Sequence, residues 1–326
     1  MPRYIRDTVV LAKIESPYAT DSSPTGTSNA ILCSKPKLTP ISLNTVDRDL
    51  VRNYFGASEQ LPGTRFVQAE FEVDLASSGT LGTAPAFGPL LRACALAETI
   101  IASTRVDYTP ITNSQESVSL YWYDAGLLHK LLGARGSVKI DLTSGNKPAL
   151  MFSLSGLYST PSAATPGTTS FSAFVTPLVV TDANSGDIYV GGTVASTGAP
   201  AISSGTDLIS TGMTLASGNA VSFTDLIGLQ SVCITAREAT GTIEVDQIAA
   251  DEVTRLGQVR LNTLSSLSML HGTVAGQKVL LHLPSVQFIN PGKGDVNGRR
   301  LQTYDLRCVP TPSGSGNDEL RLVTSF

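Results

Sequence analysis

Three histidines, His129, His271 and His282, are the imidazole bases that this 326-residue chain offers for catalysis. A hydrolase would need a nucleophile with such a base within reach. His282 lies inside an alternating strand pattern and His129 follows Leu127 and Leu128, so structural roles are expected for both. The chain contains no G-x-S-x-G elbow, H-E-x-x-H helix or Walker loop. The sequence therefore predicts no catalytic site.

Metal and cofactor sites are not indicated either. The four cysteines, Cys33, Cys94, Cys233 and Cys308, are far apart and form no C-x-x-C pair, which favours buried thiols over a zinc or redox site. Residues 182 to 187, DANSGD, are similar to part of a calcium loop but lack its closing bidentate glutamate. We therefore expect neither a metal nor a cofactor.

Charge and composition exclude two further classes of protein. A net charge of −4 lacks the excess of lysine and arginine that tight binding of nucleic acid requires. No run approaches the roughly 20 apolar residues that span a bilayer, so no membrane association is expected. Hydrophobic residues make up 41% and charged residues only 15%, a balance that favours short strands and many turns. The chain is expected to be soluble and mainly β.

The first half of the chain has the pattern of a β unit with one helix. Residues 65 to 76, RFVQAEFEVDLA, alternate like a half-buried strand with one irregular step near Ala69. Residues 86 to 101 have helical spacing, with Pro89 in the first turn. Residues 136 to 158, GSVKIDLTSGNKPALMFSLSGLY, form a hairpin pattern around a Gly-Asn turn. On the first of these strands the expected core residues are Phe66, Phe71, Val73 and Leu75, and the expected outward carboxylates are Glu70, Glu72 and Asp74.

The second half repeats this order of elements. Another acidic strand, VCITAREATGTIEVDQIA, precedes a helical segment over residues 251 to 270 and a hairpin over residues 278 to 309. We interpret the order as an internal duplication, the alternative being two unrelated β domains. The predicted boundaries are a first domain at 1–160, a linker at 161–170 and a second domain at 171–326, with a variable insertion at about 181–210.

The sequence resembles the tail tube proteins, also called major tail proteins, of long-tailed bacteriophages. The stretches that carry the resemblance are FEVDLASSGTLGTAPAFGPLLRACALAETI, VDYTP and YDAGLLHKLLGARGSVKIDL in the first half. GTVAGQKVLLHLPSVQF and NDELRLVTSF, with Asp295 and Gly298 in the turn between them, carry it in the second. It covers nearly the whole chain apart from residues 181 to 210, and it is strongest toward flexible, non-contractile tails.

This resemblance implies a β-sandwich or half-barrel with a flanking α-helix, present as two tandem domains. Their long hairpins would join those of neighbouring subunits into one β-barrel, because a free hairpin edge leaves backbone groups unpaired. The hairpin residues then expected in the wall of the lumen are Val138, Lys139, Ile140, Asp141, Leu142, Leu150, Phe152, Leu154, Val279, Leu281, Leu283, Tyr304 and Leu306.

The resemblance also implies partners. A duplicated chain would form three-membered rings of pseudo-sixfold shape, stacked into a tube in the virion tail after assembly in the cytoplasm of the host bacterium. Tape measure, tail-tip and tail-terminator proteins would contact the tube. Double-stranded DNA would pass through without specific binding, and we expect acidic residues to outnumber basic ones on the lumen face.

Residues 44 to 63 mix charged and apolar side chains without a clear period, as a long functional loop would. In the resembled family a loop at this place reaches the neighbouring ring. The side chains expected to do so are Asp47, Arg48, Arg52, Tyr54 and Phe55, whose types include those that anchor interfaces. The alternative is an ordinary capped surface loop.

Three other functions fit the sequence less well. A secretion-system tube subunit would usually be a shorter, single-domain chain. A receptor-binding or decoration β module of a virion would use residues 181 to 210 as an exposed binding face, yet Tyr189 is the one aromatic residue there. An enzyme is disfavoured because no catalytic constellation is present.

Overall fold

The computed structural model of the chain describes residues 3–312 and 314–326, and it is mainly β. The strands of the first half are β1 Thr8–Ile14, β2 Ala30–Ile31, β3 Ser34–Val46, β4 Leu61–Asp74, β5 Leu96–Ile101, β6 Arg105–Pro110, β7 Val118–Asp124, β8 Leu127–Thr143, β9 Ala149–Tyr158 and β10 Ser162–Ala163. Those of the second half are β11 Ser185–Val190, β12 Thr193–Val194, β13 Ile202–Ser203, β14 Thr206–Ala216, β15 Asn219–Leu226, β16 Leu229–Arg237, β17 Thr240–Asp246, β18 Ser265–His271, β19 Val279–Val296, β20 Arg299–Cys308 and β21 Arg321–Thr324. The helices are α1 Gly26–Asn29, α2 Gly88–Ala93 and α3 Ala249–Leu261. Among the described residues, no helix is long and apolar enough to cross a membrane.

Eight strands lie side by side in one antiparallel sheet, which we call the eight-strand sheet. Their order is β3-β4-β9-β8-β14-β17-β20-β19, so four strands come from each half of the chain. The two halves meet where β8 pairs with β14. The outer strands of the sheet are β3 and β19.

A second layer of strands packs across the eight-strand sheet. In it β1 pairs with β2 and β7, β11 pairs with β18, and β21 links β19 to β6. The long strands β8 and β19 belong to both layers, because their first parts pair with β7 and β18 and their last parts with β9 and β20. Trp122 of β7 contacts Phe71 of β4 with ring centroids 6.3 Å apart. The core therefore lies between two layers of strands.

One continuous apolar cluster fills this core and includes residues of both halves. At the junction, Ile140 and Leu142 of β8 lie opposite Leu215 and Met213 of β14, and all four side chains are buried. The two halves thus share the main core. Two smaller apolar clusters lie within single halves, around Tyr121 and Tyr123 in the first and around Leu280 and Val323 in the second.

Residues 181 to 210, predicted to be a variable insertion, contribute two strands to the main sheet. They contain β11 and the beginning of β14, and Ile188, Val190 and Leu208 are buried in the core. The small β12–β13 ladder is the part of this stretch that lies off the main sheet. These strands belong to the core because their alternate side chains are apolar, although the Ser, Thr and Gly residues around them hide the pattern.

The predicted helix over residues 86 to 101 is wrong in its second part. The helix α2 ends at Ala93, and Leu96–Ile101 form β5, which pairs with β6. Between them Ala95 has a φ of +58°, in the left-handed region that commonly ends helices. Helical spacing did not reveal this end because apolar residues continue beyond it, at Leu96, Ile100 and Ile101.

The strand β4 also differs from its predicted pattern. Val67, Ala69 and Phe71 alternate into the core with no irregular step, and β4 and β9 stay in register throughout. Phe66, predicted to lie in the core, is on the opposite face and stacks on Phe223 of β15, with ring centroids 5.3 Å apart. Glu72, predicted to be solvent-facing, is only 4% exposed.

Candidate assembly surfaces

The eight-strand sheet has one face against the core and one polar face, because side chains alternate along each strand. On β8, Val138, Ile140 and Leu142 are buried in the core, while Lys139 and Asp141 point to the polar face. On the second half of the sheet, Ile243 and Val245 are buried, as predicted, and the carboxylates between and after them take the other face.

The residues predicted for the lumen wall are therefore divided between the two faces. Eleven apolar ones are at most 2% exposed and belong to the core, namely Val138, Ile140, Leu142, Leu150, Phe152, Leu154, Val279, Leu281, Leu283, Tyr304 and Leu306. Lys139 and Asp141 lie on the polar face. If these hairpins line a channel, the surface that meets its contents is formed by the alternate residues.

The polar face carries slightly more carboxylates than cations, counting residues that reach it through ion pairs. The eight carboxylates are Glu70, Glu72, Asp74, Asp141, Glu238, Glu244, Asp246 and Asp305. The six cations are Lys35, Lys37, Lys139, Lys147, Arg299 and Arg307. Most of these charges are paired with one another, so the face presents no strong positive field.

The most buried carboxylate of these ion pairs is Glu72. Lys35 Nζ lies 2.7 Å from Glu72 Oε2, and Lys147 Nζ lies 3.4 Å from Glu72 Oε1. Burial by itself raises the pKa of Glu72, but the two ammonium groups outweigh it and hold that pKa below its ordinary value. By contrast, Glu70 pairs with Lys37 at 2.8 Å while remaining 51% exposed at the side chain.

Both outer strands of the eight-strand sheet leave one edge open within the described part of the chain. The strand β3 pairs with β4 along one edge, and it contains Pro36 and Pro40, which are typical of an edge strand. The strand β19 pairs with β18 up to Val286, but its residues 287–296 pair with β20 alone. Such open edges are sites at which another chain can add a strand.

The loop 47–60, which joins β3 to β4, is exposed and has no regular secondary structure. All five residues predicted to contact the neighbouring ring lie in this loop. Asp47 accepts a hydrogen bond from Gln60, and Arg48 pairs with Glu59. The Arg52 guanidinium lies 5.8 Å from the Tyr54 ring centroid. The most exposed apolar side chains are Val51 at 102%, Phe55 at 107% and Tyr54 at 64%. Large apolar and aromatic side chains are seldom clustered on a protein surface unless a partner covers them, so this loop has the composition of a contact site.

Sequence reasoning missed two other exposed apolar surfaces. The hairpin β15–β16 carries Leu226, Ile227 and Leu229 at its tip, and α3 carries Val253 and Leu261 on its outer side. On the inner side of α3, Arg255 is buried over the Phe288 ring at 5.0 Å. In the sequence these segments resemble ordinary core elements, because apolar periodicity does not say what covers an apolar face.

The histidines have structural surroundings. Ser185 Oγ lies 2.8 Å from His271 Nδ1, and Ser268 Oγ lies 2.7 Å from His282 Nδ1, both between neighbouring strands. Burial lowers the pKa of His129 and of His271, and burial together with Arg321 lowers that of His282 to about 4. In residues 3–312 and 314–326 no group of His, Cys, Asp and Glu is arranged to hold a metal ion.

Open sheet edges and exposed apolar loops on a mainly β chain are typical of subunits that assemble with other chains. Comparison with protein families gives a more particular result: the model described as phage tail tube protein matches residues 5–322. The chain therefore belongs to the phage tail tube protein family. A comparison with curated proteins gives no match.

Family membership confirms the predicted function. The chain is a structural component of the phage tail tube, located in the virion tail, and it is not an enzyme. Tail tube proteins self-assemble into the tube.

Proposed function

We propose that three copies of this chain close into a ring, in which β3 of one subunit pairs with β19 of the next. The observation that carries the proposal is the junction between β8 and β14 within the chain. Such pairing satisfies the backbone groups of both open edges.

The order of strands supports an internal duplication with domains at 1–160 and 171–326. Each half contributes its strands to the eight-strand sheet in the same order: β3-β4-β9-β8 and β14-β17-β20-β19. In each half a helix lies between the second strand and the hairpin. The last strand of the first half, β8, pairs with the first strand of the second, β14. Repetition of this joint would pair β19 with β3 of the next subunit.

The open part of β19 has the position that this joint requires. Along β8, pairing with β7 ends at Ala134 and pairing with β14 occupies residues 139–143 of the same edge. Along β19, pairing with β18 ends at Val286, and residues 287–296 leave that edge open. The incoming β3 would take the place on β19 that β14 takes on β8.

The helix α3 supports closure at the same edge. It packs on β19, and Glu252 of α3 pairs with Lys293 of β19. Val253 and Leu261 of α3 are 72% and 67% exposed in the single chain. A subunit that docks on the open edge of β19 would also cover this apolar side of the helix, which adds hydrophobic stabilisation to the backbone pairing.

Three chains with eight strands each would give a barrel of twenty-four strands with the polar face inside. Barrels of about 16 to 18 strands already enclose an aqueous channel, so a wider one would remain open along the tube. The mild excess of carboxylates on the polar face suits the passage of DNA, because cationic walls would hold the phosphates by releasing counterions.

Stacking of rings is assigned to the loop 47–60. Its Tyr54 and Phe55 would bury their rings against the adjacent ring, with Asp47, Arg48 and Arg52 holding the loop through the contacts described above. The resemblance to flexible-tailed phages supports a long, non-contractile tail, in which tape measure, tail-tip and tail-terminator proteins meet this tube. A sheath around the tube in the particle would contradict that part of the proposal.

Covalent cross-linking tests the ring closure. In a Cys33→Ser, Cys233→Ser background, cysteines replace Ile41 of β3 and Lys293 of β19, and assembled protein is treated with a short bismaleimide. The two positions lie at opposite ends of the eight-strand sheet, seven strand spacings or roughly 33 Å apart along it, so a short cross-link must join different chains.

We expect cross-linked species of two and three chains and none larger. Each single-cysteine variant is the control and should give no ladder. A ladder that reaches six chains would contradict the trimer, and the absence of cross-links in assembled tubes would contradict the β3–β19 pairing.

A further inference from the structure

The hairpin β15–β16 has an apolar tip that is fully open to solvent. Ile227 is 110% exposed, and its neighbours Leu226 and Leu229 are 59% and 56% exposed. Two-residue hairpin turns favour Asn-Gly or Asp-Gly, whereas this turn has Ile227 before Gly228. Turn geometry therefore gives no reason for an isoleucine, and a binding partner would.

The hairpin is held firmly on the rest of the chain. Tyr18 Oη accepts a hydrogen bond from the Val232 amide at 2.7 Å, and Arg135 donates one to the Val232 carbonyl at 2.8 Å. Asn219 donates from its side-chain amide to the carbonyls of Cys94 and Gly136 at 2.8 and 2.9 Å. A tip on so fixed a support loses little conformational entropy on contact with a partner.

The tip points to the same end of the eight-strand sheet as the loop 47–60. Asn219, at the start of β15, contacts Gly136 of β8, and Phe223, further along, stacks on Phe66 of β4. Between these contacts β15 advances toward the end of the sheet at which β4 begins, and that end carries the loop. Three more residues bring β15 to the tip.

The hairpin also has the same place in the second half that the loop has in the first. The loop 47–60 joins β3 to β4, and the hairpin joins β14 to β17, which follow the same order in the sheet. Both connections end in exposed apolar side chains, Tyr54 and Phe55 in one and Ile227 in the other.

We infer that the tip formed by Leu226, Ile227 and Leu229 is a second ring-stacking contact, and that its partner is a copy of this chain in the adjacent ring. The inference rests on the proposed stacking of rings. A ring of three chains would then present six apolar contacts at one end, with loops and hairpin tips alternating, which matches its pseudo-sixfold order.

A triple variant tests the tip without weakening the hairpin. Ile227→Asn keeps Gly228, whose φ is +94°, and gives an Asn-Gly pair of the kind found in two-residue hairpin turns, while Leu226→Thr with Leu229→Thr keeps residues that suit strands. The matched control is Val274→Asn, which replaces another exposed apolar side chain, 51% exposed, in a turn. Tube length and the threshold concentration for elongation are measured by electron microscopy and sedimentation.

For the triple variant we expect rings with the wild-type number of subunits and a threshold concentration raised at least tenfold. The control should match the wild type. If the triple variant forms tubes of wild-type length at the wild-type threshold, the tip is not a stacking contact, although the proposed function stands. If the wild-type chain itself forms neither rings nor tubes, the proposed function fails and this inference fails with it.

A photo-cross-linker attached at position 227 is an independent test of which chain the hairpin tip contacts. We expect it to join two chains in stacked tubes and to join none in isolated rings. Equal cross-linking in rings and tubes would assign the tip to contacts within a ring and overturn the inference.

Discussion

Ile140 of β8 lies directly opposite Leu215 of β14, and both side chains are about 1% exposed. This pair joins the two halves of the chain, because β8 ends the four strands of the first half and β14 begins those of the second. Because this pair lies in the core that both halves share, we expect the two halves to unfold together, and the same joint is the pattern for the proposed contact between subunits.

The first prediction concerns cooperativity at this joint. Ile140→Ala should lower the free energy of unfolding by about 2 to 5 kcal/mol, the cost of removing a buried aliphatic side chain from a packed core. Lys139→Ala, the adjacent and exposed position, should change it by less than about 0.5 kcal/mol. Urea unfolding of unassembled protein should show one transition in each case. Two separate transitions would mean that the halves fold independently.

The second prediction concerns the polar face. Glu72→Gln should destabilise the chain by about 1 to 3 kcal/mol, because it removes two charge-assisted contacts and leaves Lys35 and Lys147 facing a buried amide. Glu70→Gln, which breaks a single exposed pair, should cost about 0 to 1 kcal/mol. Equal changes in the free energy of unfolding for the two substitutions would show that the buried ion pairs of Glu72 stabilise the fold no more than the exposed pair of Glu70.

The third prediction concerns stability against pH. His282 has a folded-state pKa of about 4, below its ordinary value of 6.5, so the unfolded chain binds more protons between these two values. Stability should therefore fall as the pH falls from 6.5 toward 4, with a contribution from His282 of about 3 kcal/mol at the lower limit. The His282→Gln variant should lose that part of the pH dependence. Parallel curves for wild type and variant would contradict the assignment.

The fourth prediction concerns the loop 47–60. Tyr54→Ala with Phe55→Ala should leave the three-subunit rings intact, because the two aromatic side chains are exposed and are not part of the core of the single chain. The double substitution should reduce elongation into tubes at least tenfold. Val51→Ala, which removes a smaller exposed side chain of the same loop, is the graded control and should reduce elongation less. Normal elongation of the double variant would remove the stacking role of these two residues.

Sequence patterns predicted those elements whose own residues decide their structure. The two long hairpins lie over the predicted residues, although β19 continues to Val296 and so includes Asp295, which was predicted to lie in the turn. The helical segment predicted over residues 251 to 270 is wrong in its second part, because α3 ends at Leu261 before the left-handed Asn262 and Ser265–His271 form β18. Ile243 and Val245 face the core as expected. The end of α2 was not predicted, since one left-handed residue, Ala95, decides it and apolar spacing continues across it.

Features that depend on distant partners could not be predicted in the same way. The sequence predicts that Glu72 is a solvated carboxylate, because it does not show that Lys35 and Lys147 of two other segments lie against it in the fold. The sequence predicts that Phe66 is a core residue, because it does not show that Phe223 covers the opposite face of the sheet at this point. The joint between β8 and β14 was hidden because β14 begins in a stretch rich in Ser, Thr and Gly.

Electron microscopy of the assembled tube, with the subunits of each ring counted, is the decisive test of the proposed ring closure. We expect three subunits per ring, with a continuous inner barrel in which β19 of one subunit lies beside β3 of the next. Six subunits per ring, or an inner wall in which these two strands are not neighbours, would contradict it.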